Sequence, residues 1–246
     1  FNKKGYAKWI GRYDKYGNMI ESAYFDTDGE PVRDKEGVMK VEAVYNNKGY
    51  ISSISYVDAG GNLVPNKIGI AQVTITYDNN NNLEKISFKD ADGAPCPIAN
   101  VRLEYDESGN QTGQFVSCLE DKLFQPAGFN WRAKYDKGNL VEKVYLNNVK
   151  EPYLNPNEGY AKYIAKYNER GRLIELSFFD TEEKPCLNNK GYAKVSYGYD
   201  EWGNVTEILF LGVDGKPCTD SSGVARCVMR YDERGNKIEE ATFDPE

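Results

Sequence analysis

The chain has 246 residues, with 31 Lys and Arg against 38 Asp and Glu and no histidine at all. The two signs are interleaved and the balance is acidic, which argues against a nucleic-acid partner, since phosphate binding needs a net basic surface. Without histidine, Ser-His-Asp and Cys-His catalysis and histidine-ligated metals are removed, so no catalytic residue, no metal site and no cofactor is expected and the chain is read as non-enzymatic.

Along the chain a tyrosine recurs eight times, at Tyr13, Tyr45, Tyr77, Tyr105, Tyr135, Tyr167, Tyr199 and Tyr231, with steps of 32, 32, 28, 30, 32, 32 and 32. Such a period means a repeat array, whose units bury their apolar faces mainly against neighbours. Aromatic content is 13%, including 19 tyrosines, which suits folded strands and not a disordered chain. The expected fold is all-β: one array over residues 1–246 of about eight β-hairpin copies, beginning near Gly5, Gly37, Gly69, Asn100, Gly128, Gly159, Gly191 and Gly223. The hairpins should form an antiparallel meander, twisted or spiral. The chain opens and stops in mid-repeat, at Phe1-Asn2-Lys3-Lys4-Gly5 and Phe243-Asp244-Pro245-Glu246, and reads as a piece of a longer protein. No run of about 18 apolar residues occurs, so no membrane insertion is expected in this segment.

Each copy shows two β-rich runs parted by a turn signal of the form Asp-x-x-Gly-Asn and closed by a second one, Asp-Gly-x-Pro. In the first copy, counting back from Tyr13, positions Ala7, Trp9 and Gly11 alternate with Lys8 and Arg12. Copies three (Ala71, Val73, Ile75, Tyr77) and six (Ala161, Tyr163, Ala165, Tyr167) repeat this alternation, so the tyrosine side is expected to be buried. A second aromatic column follows at Tyr24, Tyr56, Phe88, Tyr145, Phe178 and Phe210. Opposite charges predict the hairpin register: Arg12 with Glu21, Lys134 with Glu142, Lys166 with Glu175 and Arg230 with Glu239 would face each other, and Trp9 would face Tyr24.

The fourth and fifth copies depart from the pattern, at Cys118 to Pro126 and at Asn147 to Pro152, with a shortened tyrosine turn at Asp136-Lys137-Gly138-Asn139. A change of curvature is expected there. The Asp-x-Asp-Gly segments at Asp26 to Gly29 and Asp90 to Gly93 lack the further oxygens of a calcium loop and are read as turns. Among the five cysteines, Cys96, Cys186 and Cys218 each follow a proline at one repeat position, with Cys118 and Cys227 outside that column. Equivalent positions two strands apart stand roughly 10 Å from each other, too far for a bridge, so free, partly buried thiols are expected. The acid column Glu21, Glu175, Glu207 and Glu239 has partners across the strand and is read as structural, not as the facing carboxylates of a glycosidase.

Exposed aromatic rings are the functional lead. Tyr16 and Trp202 stand at hairpin tips, while Tyr6, Tyr160 and Tyr192 fall on the polar-face parity at strand entry. Rings aligned on a wet face could stack on sugars or anchor a protein, and the alternative is that the entry rings tuck under the preceding turn.

Tyr13-Asp14-Lys15-Tyr16-Gly17-Asn18 and Tyr231-Asp232-Glu233-Arg234-Gly235-Asn236 resemble the YD-repeat family, and the likeness extends through all eight copies, with Asn46 and Asn168 replacing the aspartate. That resemblance implies β-hairpin spirals, serving as a toxin shell or as an adhesive extracellular structure. Tyr24-Phe25-Asp26-Thr27-Asp28-Gly29 is similar, more distantly, to the aromatic hairpin repeats of bacterial cell-wall-binding and glucan-binding modules. The function expected is a non-enzymatic module presenting an extended face to a protein or glycan at a bacterial cell surface. Its alternative is a structural spacer or shell segment of a larger secreted or toxin-type protein, and a carboxylate-based glycan enzyme comes third.

Overall fold

The computed structural model describes residues 5–118 and 130–245. Sixteen strands occur among them: β1 (Lys8–Tyr13), β2 (Met19–Phe25), β3 (Lys40–Tyr45), β4 (Ile51–Val57), β5 (Gln72–Tyr77), β6 (Leu83–Lys89), β7 (Pro95–Tyr105), β8 (Gln111–Cys118), β9 (Asn130–Asp136), β10 (Asn139–Leu146), β11 (Lys162–Tyr167), β12 (Leu173–Phe179), β13 (Lys194–Tyr199), β14 (Val205–Leu211), β15 (Arg226–Tyr231) and β16 (Lys237–Phe243). They hydrogen bond in chain order as an antiparallel meander, and no helix is present among the described residues. Cα packing divides the chain into two compact units, residues 1–104 with 115–124, and residues 105–114 with 125–246. The copy start at Gly128 and most of the irregular fourth connection, 119–126, lie outside the described residues.

Hairpin register follows the charges. Arg12 pairs with Glu21 and Trp9 with Tyr24 in β1–β2, Lys134 with Glu142 in β9–β10, Lys166 with Glu175 in β11–β12, and Arg230 with Glu239 in β15–β16. The side chains meet at 3.6, 2.7, 2.8 and 3.4 Å respectively.

One loop geometry recurs along the chain, three times in each of copies one, two and six, where the sequence pattern predicts two turns. In the first, Asp14 Oδ1 accepts hydrogen bonds from the amides of Tyr16 (2.8 Å) and Asn18 (2.9 Å), the Asn18 side-chain amide donates to Asp14 Oδ2 (2.9 Å), and Gly17 takes φ +86°. Asp26 and Asp34 open two more loops of the same form, with Gly29 at φ +88° and Gly37 at φ +84°. The side-chain oxygen of Asp or Asn, three bonds from Cα, reaches those amides, which is why Asn46 and Asn168 can stand in for aspartate. The fifth-copy connection is not a break in this pattern: Asn147 Oδ1 accepts from Val149 and Glu151, and Lys150 takes the left-handed position at φ +66°. The shortened turn is a two-residue connection, with Lys137 at φ +49° and Gly138 at +81°.

Consecutive hairpins meet over a short stretch. Six residue pairs join β1 to β2, but three join β2 to β3, and the same three-pair junction recurs for β4–β5, β10–β11, β12–β13 and β14–β15. The column tyrosine reinforces each junction. Its hydroxyl donates to a carbonyl at the start of the preceding hairpin's second strand: Tyr45 to Met19 (3.0 Å), Tyr77 to Ile51 (2.9 Å), Tyr167 to Leu140 (3.1 Å), Tyr199 to Leu173 (2.6 Å) and Tyr231 to Val205 (3.0 Å). The tyrosine side is therefore half-buried, not the fully buried face that alternation predicts, because the ring leans along the sheet to reach its acceptor. In the edge strand β1 the departure is largest, with Trp9 42% and Tyr13 56% exposed. In four copies full burial falls on the alanine that precedes the first strand, Ala71, Ala161, Ala193 and Ala225, none more than 3% exposed.

Two glycines separate backbone strain from crowding. Gly215 (φ +76°) has nothing within 4 Å of a built Cβ, whereas at Gly159 (φ +83°) a Cβ would stand 2.5 Å from Asn189 Oδ1 and 2.7 Å from its backbone nitrogen. Gly215→Ala should cost about 1–2 kcal/mol from the left-handed conformation alone, and Gly159→Ala clearly more, as read by urea unfolding. Tyr199→Phe, which deletes one hydroxyl, should cost about 1 kcal/mol in the same assay.

Candidate functional site

The strand-entry tyrosines are core. Tyr160 closes the loop opened by Asn155, whose amide donates to the Tyr160 carbonyl (3.0 Å), and Tyr192 closes the loop opened by Asn188 in the same way (3.0 Å). Both precede the strands that begin at Lys162 and Lys194, so alternation counted back from the column tyrosine no longer sets their side, and loop closure turns the rings onto the apolar face. The exposure expected for them is overturned: Tyr160 and Tyr192 are 7% and 8% exposed. Each ring inserts between neighbours of the second aromatic column, giving Tyr145, Tyr160, Phe178, Tyr192 and Phe210 in file with centroids 5.8, 4.7, 5.9 and 4.6 Å apart. Tyr6 is half-buried against Tyr24 at 4.7 Å in the other unit, so it too is engaged in packing. Tilted ring pairs at these spacings contribute about 0.5–1.5 kcal/mol each beyond the area they bury. Burial raises the Tyr160 hydroxyl above its ordinary pKa and pushes Tyr163 up to about 12.

Tyr16 and Trp202 are where the sequence places them, at hairpin tips, 78% and 70% exposed. Tyr16 belongs to the first unit, with Lys15 Nζ 4.8 Å from its ring centroid, and Trp202 to the second, its carbonyl accepting from Arg172 (3.0 Å). The five candidate rings thus separate into one packed pair, one ring stacked elsewhere and two solvent-facing tips.

A charge column runs along the opposite face. Glu142 meets Lys134 of its own hairpin at 2.7 Å and Lys162 of the next at 3.3 Å, and Glu175 meets Lys166 at 2.8 Å and Lys194 at 3.3 Å. Glu21 lies between Arg12 (3.6 Å) and Lys40 (3.2 Å) in the same manner. Partial burial alone would raise Glu142 and Glu175, but their flanking ammonium groups outweigh it and hold both below the ordinary glutamate value. A groove of about 330 Å³ passes over this stretch, lined among others by Lys166, Glu175, Phe178 and Lys194, and its charged groups are already paired with one another.

Lys143 is a position that the sequence pattern could have revealed. It stands two residues before Tyr145, where other copies carry Ile54, Ile86, Leu176 and Ile208. Its ammonium lies 4.6 Å from the Trp131 centroid and 5.0 Å from that of Tyr145, and burial lowers its pKa. Cys96, Cys186 and Cys218 are free, each Sγ directed at the carbonyl of Gly69, Gly159 or Gly191 at 3.7–3.8 Å, and burial raises all three thiols. Asp26 and Asp90 each accept two backbone amides at Oδ1, as turn residues do.

No protein-family model matches the chain, and no curated protein matches it. Solved structures similar to it include a crystal structure of TcdB2-TccC3-TEV (12% identity, TM-score 0.38, 96% of this chain and 13% of that one) and the Photorhabdus luminescens Tc holotoxin pore with mutated TccC3 (13% identity, TM-score 0.39, 97% and 13%). A porin-like protein from Bacteroides uniformis matches at 12% identity and TM-score 0.26, over 97% of this chain and 92% of that one. The chain spans about 13% of the length of the toxin chains, and nothing of what those proteins do carries across at such similarity.

Because Glu142 and Glu175 have folded-state pKa values below the unfolded one, their contribution is present above about pH 4.5 and is lost as the pH falls through the folded values. Glu175→Gln should lower stability at neutral pH by on the order of 1 kcal/mol or less and flatten the acid limb of a stability-against-pH curve. An unchanged acid limb would show that the column does not act as described.

Proposed function

We propose that this chain is a non-enzymatic, YD-repeat-like structural array, a spacer or shell segment of a larger extracellular protein. The observation that supports this most directly is that the recurrent side chains are consumed in joining one hairpin to the next: the column tyrosines bond backbone, the glutamates bridge lysines, and Tyr160 and Tyr192 fill the ring file. Each such contact is between nearest neighbours, so length can change by whole copies without altering any one of them. The extracellular setting is supported by the resemblance of the Tyr-Asp hairpins to YD repeats.

A second reading, binding of a protein or glycan, is favoured only at Tyr16 and Trp202, the tip rings that no packing explains.

In-phase removal of residues 160–191 joins Gly159 to Tyr192 and keeps every junction type intact. The shortened chain is expected to retain its β circular dichroism and cooperative unfolding, with a smaller denaturant slope in proportion to the surface lost. Phe178→Ala should cost about 3–5 kcal/mol, while the Tyr16→Ala and Trp202→Ala double variant should stay within about 0.5 kcal/mol of the parent. Collapse of the fold on in-phase deletion would sink the spacer reading. Glycan-array or pull-down hits that disappear in the double variant would establish the binding reading in its place.

A further inference from the structure

The ring file of the second unit follows one rule, and the first unit departs from it at Val38. Seven residues before a column tyrosine stands the entry residue, Tyr160 for Tyr167 and Tyr192 for Tyr199, and each inserts between successive members of the second aromatic column. Tyr6 holds the same position before Tyr13 and packs on Tyr24 at 4.7 Å. In the second copy the entry residue is Val38, and the column members that flank this position are Tyr24 and Tyr56. A valine falls short of a tyrosine by most of a phenol ring, and that space is open. A cleft of about 280 Å³ is lined by Tyr24, Val38 and Tyr56 and, among others, by Asp34, Glu36 and Lys67. This is just under the roughly 300 Å³ at which small-molecule clefts begin, room for a single ring. The next slot, between Tyr56 and Phe88, has the larger Ile70 as its entry residue.

The second unit shows what such a slot holds. Tyr160, set between Tyr145 and Phe178, donates its hydroxyl to Glu158 Oε2 at 3.4 Å. Glu158 lies two residues before Tyr160, as Glu36 lies two residues before Val38, and Tyr145 and Tyr24 share one repeat position. The Val38 slot therefore keeps the flanking rings and the carboxylate and lacks the phenol. The Tyr192 slot has a different chemistry, with Lys190 and Phe178 in place of the glutamate and the tyrosine. Its walls are held by backbone contacts in the first unit: Asp34 Oδ1 accepts the amides of Glu36 and Val38 at 2.9 Å each, and the Lys67 amide donates to the Glu36 carbonyl at 2.9 Å. The Glu36 carboxylate meets the exposed Lys35 at 3.8 Å, a weak surface pair that leaves it able to accept a hydrogen bond.

We propose that the cleft between Tyr24 and Tyr56 is a binding site for a small monocyclic phenol. The ligand's ring lies between the two tyrosine rings, as Tyr160 lies between Tyr145 and Phe178, and its hydroxyl donates to Glu36. Ring contacts supply the attraction, and the charge-assisted hydrogen bond favours a phenol over a ring without a hydroxyl. The inference adds a ligand site to the scaffold role. Deletion of residues 160–191 tests that role without touching this cleft.

Ligand-observed NMR titration of the full chain with phenol, and with benzene as the reference ring, is the test. The expected result is saturable binding of phenol, tighter than that of benzene. Val38→Tyr supplies the missing ring from the chain itself and should abolish binding. Glu36→Gln should weaken phenol binding about threefold to tenfold and leave benzene unaffected. Circular dichroism reports the fold of each variant, and Glu36→Gln, at an exposed position, decides the matter if Val38→Tyr perturbs it. Absence of saturable binding overturns the proposal. So does phenol binding that survives in a folded Val38→Tyr chain, that is indifferent to Glu36→Gln, or that benzene equals.

Discussion

Three residue pairs are all that the strand ladders give five of the junctions between hairpins, half of what holds the first hairpin together. An isolated hairpin is marginal in water, so the array depends on whatever supplements that short ladder. The supplement comes from both faces and from the backbone: an alanine small enough to be fully covered, a tyrosine hydroxyl on a carbonyl one hairpin back, a glutamate shared between two strands' lysines, and in the second unit an entry ring wedged into the aromatic column. None of these is large alone. Together they tie the spacing of the repeat to the geometry of a single junction, which is why the period scarcely varies.

Loop chemistry explains most of what looks like a motif. An Asx oxygen gathers two amides, and the fourth residue of most of these loops crosses into the left-handed region, where glycine is usual and where Asn81, Lys150 and Glu183 stand as exceptions. Asp26 and Asp28, which suggest a calcium loop in one dimension, serve the turn alone in three. The acid column is likewise spoken for. Glu21, Glu142, Glu175, Glu207 and Glu239 each meet a lysine or arginine, and the effect on Glu142 and Glu175 is to keep them ionised, the opposite of what a general acid requires.

A structure made of nearest-neighbour contacts has interchangeable repeats. Lys143, set against Trp131 and Tyr145, is a cation where other copies carry Ile54, Ile86, Leu176 and Ile208.

Period, turn residues and charge alternation were enough to determine the hairpins and their register, because each hairpin is local: Arg12 faces Glu21 and Lys166 faces Glu175 through a turn of five residues, and the pattern of signs already encodes that fold-back. The same locality made the hairpin tips Tyr16 and Trp202 legible. Tertiary structure alone decided the fate of Tyr6, Tyr160 and Tyr192, since a period of two describes only residues inside a strand and these sit in the loop before it. It also decided the role of the recurrent tyrosine, whose partner is not across its own hairpin but a carbonyl in the preceding one, a backbone group with no side-chain identity for a sequence to display.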